Sequence, residues 1–203
     1  MEQLNRDTII WEGRFQPVHL GHIAYVRHLL TDGRPVWIYL VGNETSADAP
    51  ELQSPVPNFT AIVDEHHRPG KNPLPFWLRY QLLVGTLRAE FGDRSDLFVW
   101  GGRRMDLHWP FTRAALPPRR SFLLSKKDDF EDAKAAAWAA LGERVERIED
   151  LDGPGFRATD FRAALSNGAP IDEFLSPHTL RLLDEMGARE FFCDAIRAAA
   201  RHD

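Results

Sequence analysis

The sequence predicts an α/β protein in which a parallel sheet of about five strands is flanked by helices and followed by a helical C-terminal region. Two observations predict this class: short apolar runs alternate with longer stretches of helical period up to residue 148, and residues 159–203 show helical period alone. A third observation sets the size. A chain of 203 residues with 43% hydrophobic content can bury one substantial core but not two average domains and a linker. We therefore expect a single domain over residues 1–203.

The predicted strands are short apolar runs separated by turn residues or by helical stretches. They cover residues 8–11, 36–41, 97–100, 122–124 and 145–148. The predicted helices cover residues 20–30, 76–90 and 130–141, where alanines favour a helix by propensity, and the whole region from residue 159 onward. Strands that alternate with helices in this way are typical of a Rossmann-like sheet.

One segment, residues 43–75, breaks this alternation. It contains six prolines and no sustained period, so we expect a long loop insertion that leaves the end of the second strand. Loops of this length in a compact domain usually serve as lids or binding loops. We expect this one to become ordered over bound substrate.

The composition argues against several classes of partner. The net charge of −5 and the pI of about 5.9 argue against nucleic acid, because proteins that bind its backbone need a basic surface. No apolar run approaches the roughly 20 residues that cross a bilayer, and the single cysteine, Cys193, can form no intrachain disulfide. We therefore expect a cytoplasmic protein without a membrane partner. The sequence leaves homo-oligomer formation open.

The segment GRFQPVHLGH, residues 13–22, connects the first predicted strand to the first predicted helix. In an open parallel sheet such a turn is where ligands bind, and the amino end of a helix favours phosphates. Gly13 lets the backbone approach a ligand closely, and Gly21 can leave the first amide groups of the helix facing an anion. His19 and His22 are three residues apart, so both imidazoles can face one phosphate chain.

This pattern suits nucleotidyl transfer, which needs positive charge and hydrogen-bond donors around the reacting phosphorus rather than a covalent nucleophile. The alternative interpretation is that one histidine caps the helix and the other packs against it. The combination of glycine, arginine, glutamine, proline and histidine in a single strand-to-helix turn favours the functional interpretation.

With these residues the sequence resembles the HxGH nucleotidyltransferase superfamily, and within it the archaeal-type nicotinamide mononucleotide adenylyltransferases. Their opening motif has the form GRFQPFHxGH, which this chain matches except at Val18. Their second signature, I-S-x-T-x-I-R, is similar to FRATDFR at residues 156–162, where Thr159 and Arg162 match. A third stretch, N-P-F-x-x-x-E-R, is similar to residues 72–79, where Arg79 matches and a leucine replaces the glutamate.

The second signature also makes chemical sense by itself. Thr159 can cap the helix that we expect to begin there, and Arg162, one turn further on, can bind outer phosphates with its forked guanidinium. The alternative is a capped surface helix that carries an arginine. Together the motif and the signature predict catalytic and nucleotide-binding residues, which are Gly13, Arg14, Phe15, Gln16, His19, Gly21, His22, Thr159 and Arg162, with His19, His22, Arg14 and Arg162 as the catalytic set.

The acceptor is less constrained by the sequence. Gly101, Gly102, Arg103 and Arg104 follow the third predicted strand, and two glycines with two arginines at a strand's carboxyl end suit an anion. The nicotinamide mononucleotide relatives tend to have an Ile-Pro-Asp-Ile-like stretch here, so the resemblance leaves the acceptor open. It implies that Arg79 and Trp109 lie near the acceptor. The alternatives are that the arginines face solvent and that the tryptophan packs in the core.

We therefore expect an enzyme that moves a nucleoside monophosphate from ATP onto a phosphate-bearing acceptor, with Mg²⁺ held mainly by the triphosphate rather than by protein ligands. A second interpretation keeps this chemistry but uses CTP and a small phosphonate or sugar phosphate as acceptor. A third is a nucleotide sensor without turnover. Retention of His19, His22, Thr159 and Arg162 argues against the third.

Overall fold

The structure of the chain, a computed structural model, describes residues 7–42, 71–149 and 158–200. Most of the predicted loop insertion, residues 43–70, lies outside the described residues. Within them, no helix is both long enough and apolar enough to span a membrane.

Five strands form one parallel sheet: β1 (Thr8–Gly13), β2 (Val36–Gly42), β3 (Leu97–Arg103), β4 (Arg120–Ser125) and β5 (Val145–Ile148). Their order across the sheet is β3-β2-β1-β4-β5, and every neighbouring pair runs parallel. The strand order therefore reverses direction between β1 and β4, the position at which doubly wound sheets bind their ligands. The predicted Rossmann-like sheet of about five strands is confirmed.

The described residues form seven α-helices and two short 3₁₀ turns, Met105–His108 and Ile171–Glu173. The helices are α1 (Leu20–Thr31), α2 (Phe76–Phe91), α3 (Trp109–Ala115), α4 (Asp129–Ala140), α5 (Ala158–Ser166), α6 (Pro177–Glu185) and α7 (Arg189–Ala200). The described part of the C-terminal region is helical, as expected, and contains α5, α6 and α7. Ser176 caps the start of α6: its hydroxyl accepts the backbone N–H of Thr179 at 3.2 Å.

By compactness the chain divides into two units. The sheet unit contains all five strands with α3 and α4, and its described residues are 7–13, 32–42 and 96–149. The helical unit contains α1, α2, α5, α6 and α7, and its described residues are 14–31, 71–95 and 158–200. The single domain that the chain length suggests stays a prediction.

The sheet unit buries a core rich in aromatic side chains. Phe122 of β4 stacks on Trp138 of α4 with ring centroids 4.5 Å apart, and Trp109 of α3 lies 5.4 Å from the Trp138 ring. Ile10 and Phe122 are each 1% exposed. Burial of large rings dominates the energetics of such a core, so β1, β4 and α4 form a rigid block.

The helical unit has a core of its own. Phe161 of α5 contacts Phe174 and Phe192, with ring centroids 5.4 and 6.1 Å apart. A second contact joins α2 and α6: the hydroxyls of Thr86 and Thr179 form a buried hydrogen bond of 2.9 Å. Both hydroxyls are fully buried, and their mutual bond offsets the cost of removing them from water.

The third strand is longer than the sequence predicts. Residues 101–103 were expected to follow the strand, yet they continue its pairing with β2, where Leu40, Val41 and Gly42 are the partners. Local packing explains the glycine at position 102. A β-carbon on Gly102 would lie 3.0 Å from the Tyr39 hydroxyl, so Gly102 lets this side chain approach the strand closely instead of ending it.

Candidate active site

The predicted phosphate-binding turn contains an unusual backbone conformation. Phe15 has φ of +47°, in the left-handed region that non-glycine residues rarely adopt, and its side chain is 2% exposed. Such a conformation costs ~1–3 kcal/mol and persists only where the surroundings hold it. The phenylalanine ring lies 4.8 Å from that of His22, and the close approach of Gly13 to a ligand stays a prediction.

The two histidines of the motif lie together at the start of α1. Their rings stack with centroids 3.7 Å apart and planes inclined by 29°. His19 is buried, whereas His22 is partly exposed. The structure therefore brings the two imidazoles to one place, as the spacing predicts.

A hydrogen bond sets the protonation pattern of His22. Its Nδ1 accepts the backbone N–H of His19 at 3.3 Å. An imidazole nitrogen that accepts carries no proton, so in the neutral ring the proton sits on Nε2. The ring thus caps the helix start with its Nδ1. The capping and the functional interpretations are compatible.

The side chain of Gln16 is committed to the backbone of Leu74. Its Oε1 accepts the Leu74 N–H at 3.0 Å and its Nε2 donates to the Leu74 carbonyl at 3.2 Å. Gln16 is 4% exposed, so this pair replaces hydrogen bonds to water that the buried amide has lost. The pair clamps the motif to the residues that precede α2, and nucleotide binding by Gln16 stays a prediction.

Arg79 braces the same turn from α2. It is 1% exposed, and its Nε donates to the Leu74 carbonyl at 2.9 Å while its Nη1 donates to the Arg14 carbonyl at 2.7 Å. The Arg14 guanidinium in turn donates to the Oδ1 of Asn72 at 3.4 Å. Arg79 therefore holds the backbone of Arg14, and its predicted acceptor contact stays a prediction.

The second signature lies in α5 of the same helical unit. Arg162 is buried, at 9% exposure. The residue before it, Phe161, packs against Phe174, whose carbonyl accepts the N–H of Leu20, the first residue of α1, at 2.9 Å. These contacts place α5 beside the start of α1.

Thr159 does not precede its helix as the sequence reasoning supposed. Helix α5 begins at Ala158, which puts Thr159 in the first turn instead of at the capping position. Its side chain lies outside the described part of the molecule, and nucleotide binding by Thr159 stays a prediction.

In the sheet unit, Gly13 and Arg103 lie at the same edge of the sheet. Gly13 pairs with Leu40, and Leu40 with Gly101, so the carboxyl ends of β1, β2 and β3 are level. Arg103 is exposed, and its carbonyl accepts the Tyr39 hydroxyl at 2.6 Å. Burial, assisted by the Glu12 carboxylate, raises the pKa of Tyr39, so the hydroxyl stays a donor at neutral pH.

The other residues predicted near the acceptor are buried in the sheet unit. Arg104 forms a forked ion pair with Asp106, from Nη2 to Oδ2 at 2.7 Å and from Nε to Oδ1 at 3.1 Å, and both residues are nearly inaccessible. Trp109 is 6% exposed and belongs to the aromatic core. Of the two arginines, therefore, Arg103 is the one whose charge faces solvent.

Across residues 7–42, 71–149 and 158–200, no group of three or more histidine, cysteine, aspartate or glutamate side chains is placed to hold a metal ion. Magnesium held mainly by the triphosphate stays a prediction.

The chain is similar in sequence to a characterised nucleotidyltransferase. Phosphonoformate cytidylyltransferase of Streptomyces viridochromogenes is 27% identical over 187 residues, which cover 90% of this chain and 94% of that protein. No protein-family model matches the chain. The comparisons support nucleotidyltransferase function.

Two solved structures share the fold. One is the bifunctional NMN adenylyltransferase/ADP ribose pyrophosphatase of Francisella tularensis in complex with AMP and manganese, with a TM-score of 0.61 and 17% identity over 94% of the chain. The match covers 52% of that protein, so the chain spans about half its length. The other, from Vibrio parahaemolyticus, is assigned as a candidate nicotinate-nucleotide adenylyltransferase and has a TM-score of 0.54 and 17% identity over 95% of the chain and 96% of that protein.

Proposed function

We propose that this chain transfers a nucleoside monophosphate from a nucleoside triphosphate onto an oxygen of a small phosphate or phosphonate, with release of pyrophosphate. The observation that carries the proposal is the paired arrangement of His19 and His22 at the start of α1, where the two rings stack with centroids 3.7 Å apart and the Nδ1 of His22 accepts the His19 backbone N–H. Two imidazoles held at the start of a helix are suited to a phosphate chain.

In the proposed reaction an acceptor oxygen attacks the α-phosphorus in line. The new bond joins that oxygen to the α-phosphorus, and the bond from the α-phosphorus to the bridging oxygen of the β-phosphate breaks, so pyrophosphate leaves with the electron pair. His19, His22, Arg14 and Arg162 would stabilise the charge that develops on the phosphate oxygens. Magnesium bound to the triphosphate would neutralise part of that charge. The manganese and AMP in the Francisella structure support a divalent ion with a nucleotide.

We further propose CTP as the triphosphate and a small phosphonate as the acceptor. The sequence relative that spans most of both chains is named for cytidylyl transfer to phosphonoformate. Exposure of Arg103 at the carboxyl edge of the sheet supports an acceptor with high negative charge, because a guanidinium matches a phosphonate or carboxylate with two hydrogen bonds. Adenylyl transfer to nicotinamide mononucleotide is the second candidate, and the GRFQPVHLGH motif favours it.

The test is pyrophosphate release from each of the four nucleoside triphosphates in combination with phosphonoformate, a sugar phosphate, nicotinamide mononucleotide and nicotinate mononucleotide. We expect the largest kcat/KM with CTP and phosphonoformate. Preference for ATP with a pyridine mononucleotide would replace the first candidate by the second. Tight triphosphate binding without pyrophosphate release from any combination would refute the enzyme assignment in favour of a sensor.

A further inference from the structure

The last side chain before the phosphate-binding turn belongs to Glu12, and it is buried. Glu12 is the penultimate residue of β1, directly before Gly13. Its Oε1 accepts the indole N–H of Trp138 at 3.0 Å and lies 3.3 Å from the Nζ of Lys134. The Glu12 and Lys134 side chains are each 9% exposed. Sequence reasoning missed this pair, because its members are far apart in the chain.

Both partners of Glu12 are themselves immobilised. Trp138 is 1% exposed and stacks on Phe122 at 4.5 Å, so the indole that holds the carboxylate belongs to the rigid core. Lys134 also contacts the Glu131 carboxylate at 3.3 Å, within α4. A buried charge costs several kcal/mol unless it is paired and hydrogen-bonded, so the side chain of Glu12 has little freedom to leave this position.

The charges around Glu12 come from three further elements. Lys134 and Glu131 lie on α4, Asp106 lies in the 3₁₀ turn before α3, and Tyr39 lies on β2. Burial raises the pKa of Glu12, while Lys134 and the Trp138 hydrogen bond oppose that rise. Burial opposes the charged form of Lys134, but the Glu12 and Glu131 carboxylates outweigh it and raise the pKa of the ammonium.

We propose that Glu12 is a positioning residue: its link to Lys134 and Trp138 fixes the carboxyl end of β1 and so the point from which the chain enters the GRFQPVHLGH turn. The role in catalysis rests on the proposed function, whereas the effect on the turn does not. Glu12 touches no reacting group under this proposal. It acts through the backbone of Gly13 and Arg14, which follow it directly, and misplacement by ~1 Å can cost an enzyme about a hundredfold in rate.

A second buried ion pair in the sheet unit provides a matched control. Arg120, the first residue of β4, forms a forked pair with Glu143 at 2.8 Å for both contacts, and their side chains are 7% and 6% exposed. This pair is as buried as Glu12 and Lys134 but lies at the opposite, amino end of a strand. Glu143→Gln therefore breaks an equivalent interaction without touching the end of β1.

The experiment compares Glu12→Gln, Glu12→Ala and Glu143→Gln with the wild type. Hydrogen exchange of residues 13–22 is measured in the unliganded proteins, together with the melting temperature, kcat and the KM for the triphosphate. We expect faster exchange of residues 13–22 in both Glu12 variants but not in Glu143→Gln. We also expect kcat to fall about tenfold in Glu12→Gln and further in Glu12→Ala, which loses the Trp138 bond as well, with KM within about twofold.

Two outcomes would overturn the proposal. One is unchanged exchange of residues 13–22 in both Glu12 variants. The other is an equal loss of kcat in Glu143→Gln at an equal loss of melting temperature, which would mean that general destabilisation explains the effect. If the wild type releases no pyrophosphate but the exchange of residues 13–22 responds to Glu12 alone, the proposed function fails and the positioning role stands.

Discussion

His22 receives the backbone N–H of His19 on its Nδ1, at 3.3 Å. The bond caps the start of α1, and the two imidazole rings stack with centroids 3.7 Å apart.

Replacement of His22 by alanine should lower kcat by about two orders of magnitude or more, because a donor to the transition state is lost. His28→Ala is the matched control, since His28 is exposed in the last turn of the same helix. Loss of the cap should also cost about 1 kcal/mol of stability. Steady-state kinetics and thermal unfolding measure both effects. A folded His22→Ala protein that turns over at the wild-type rate would contradict the assignment.

Activity should require a divalent cation and should pass through no covalent nucleotidyl-enzyme. The motif GRFQPVHLGH contains no lysine or cysteine, and burial raises the pKa of the Cys193 thiol, which disfavours the reactive thiolate. Chelation should abolish pyrophosphate release and added magnesium should restore it. Incubation with α-labelled triphosphate should leave the protein unlabelled after denaturation. A stable labelled adduct would rule out direct transfer.

Arg103 and Arg104 should separate into a binding role and a structural role. Arg103→Ala should raise the KM for the acceptor about tenfold or more with little change in the melting temperature, because Arg103 is exposed and offers its guanidinium to an anion. Arg104→Ala should destabilise the fold by about 3–5 kcal/mol, because it leaves the buried Asp106 carboxylate unpaired. Kinetics with each substrate varied separately, and unfolding in denaturant, distinguish the two. An unchanged acceptor KM in Arg103→Ala ends the acceptor role.

Stability should fall as the pH drops from about 4.5 to 2, in part through Glu146. The hydrogen bonds from Arg34 lower the pKa of Glu146 from its usual 4.5 to about 2, with Nη1 and Nη2 of Arg34 each 2.9 Å from a carboxylate oxygen. Because the folded-state pKa is depressed, this contribution is fully present above pH 4.5 and is lost as pH falls through 2. Glu146→Gln should reduce the slope of the unfolding free energy in that window. An unaltered slope in this variant would show that the Arg34–Glu146 pair contributes nothing to the pH dependence of the unfolding free energy.

Local pattern was sufficient to find the strands and the long helices and to place the GRFQPVHLGH motif between β1 and α1. Apolar alternation and helical period are properties of neighbouring residues, so β1, β2 and β5 lie within about two residues of their predicted ends. Helix α3 was missed, because residues 109–115 are too few to show a period and include Pro110. Continuation of β3 through Gly101 and Gly102 was also missed, since only the pairing with β2 requires it.

Local pattern therefore specifies the fold class, the position of the motif and the kind of chemistry that its residues suit. The tertiary structure decided which partners the polar side chains have. Gln16 and Arg79 hydrogen-bond to the backbone of the turn and of Leu74, Arg104 pairs with Asp106, and Glu12 meets Lys134 across 122 positions of chain. The physical reason is that a polar group's role depends on its partners and on its exposure to water. Both come from contacts between residues that are distant in the chain, which local pattern does not encode.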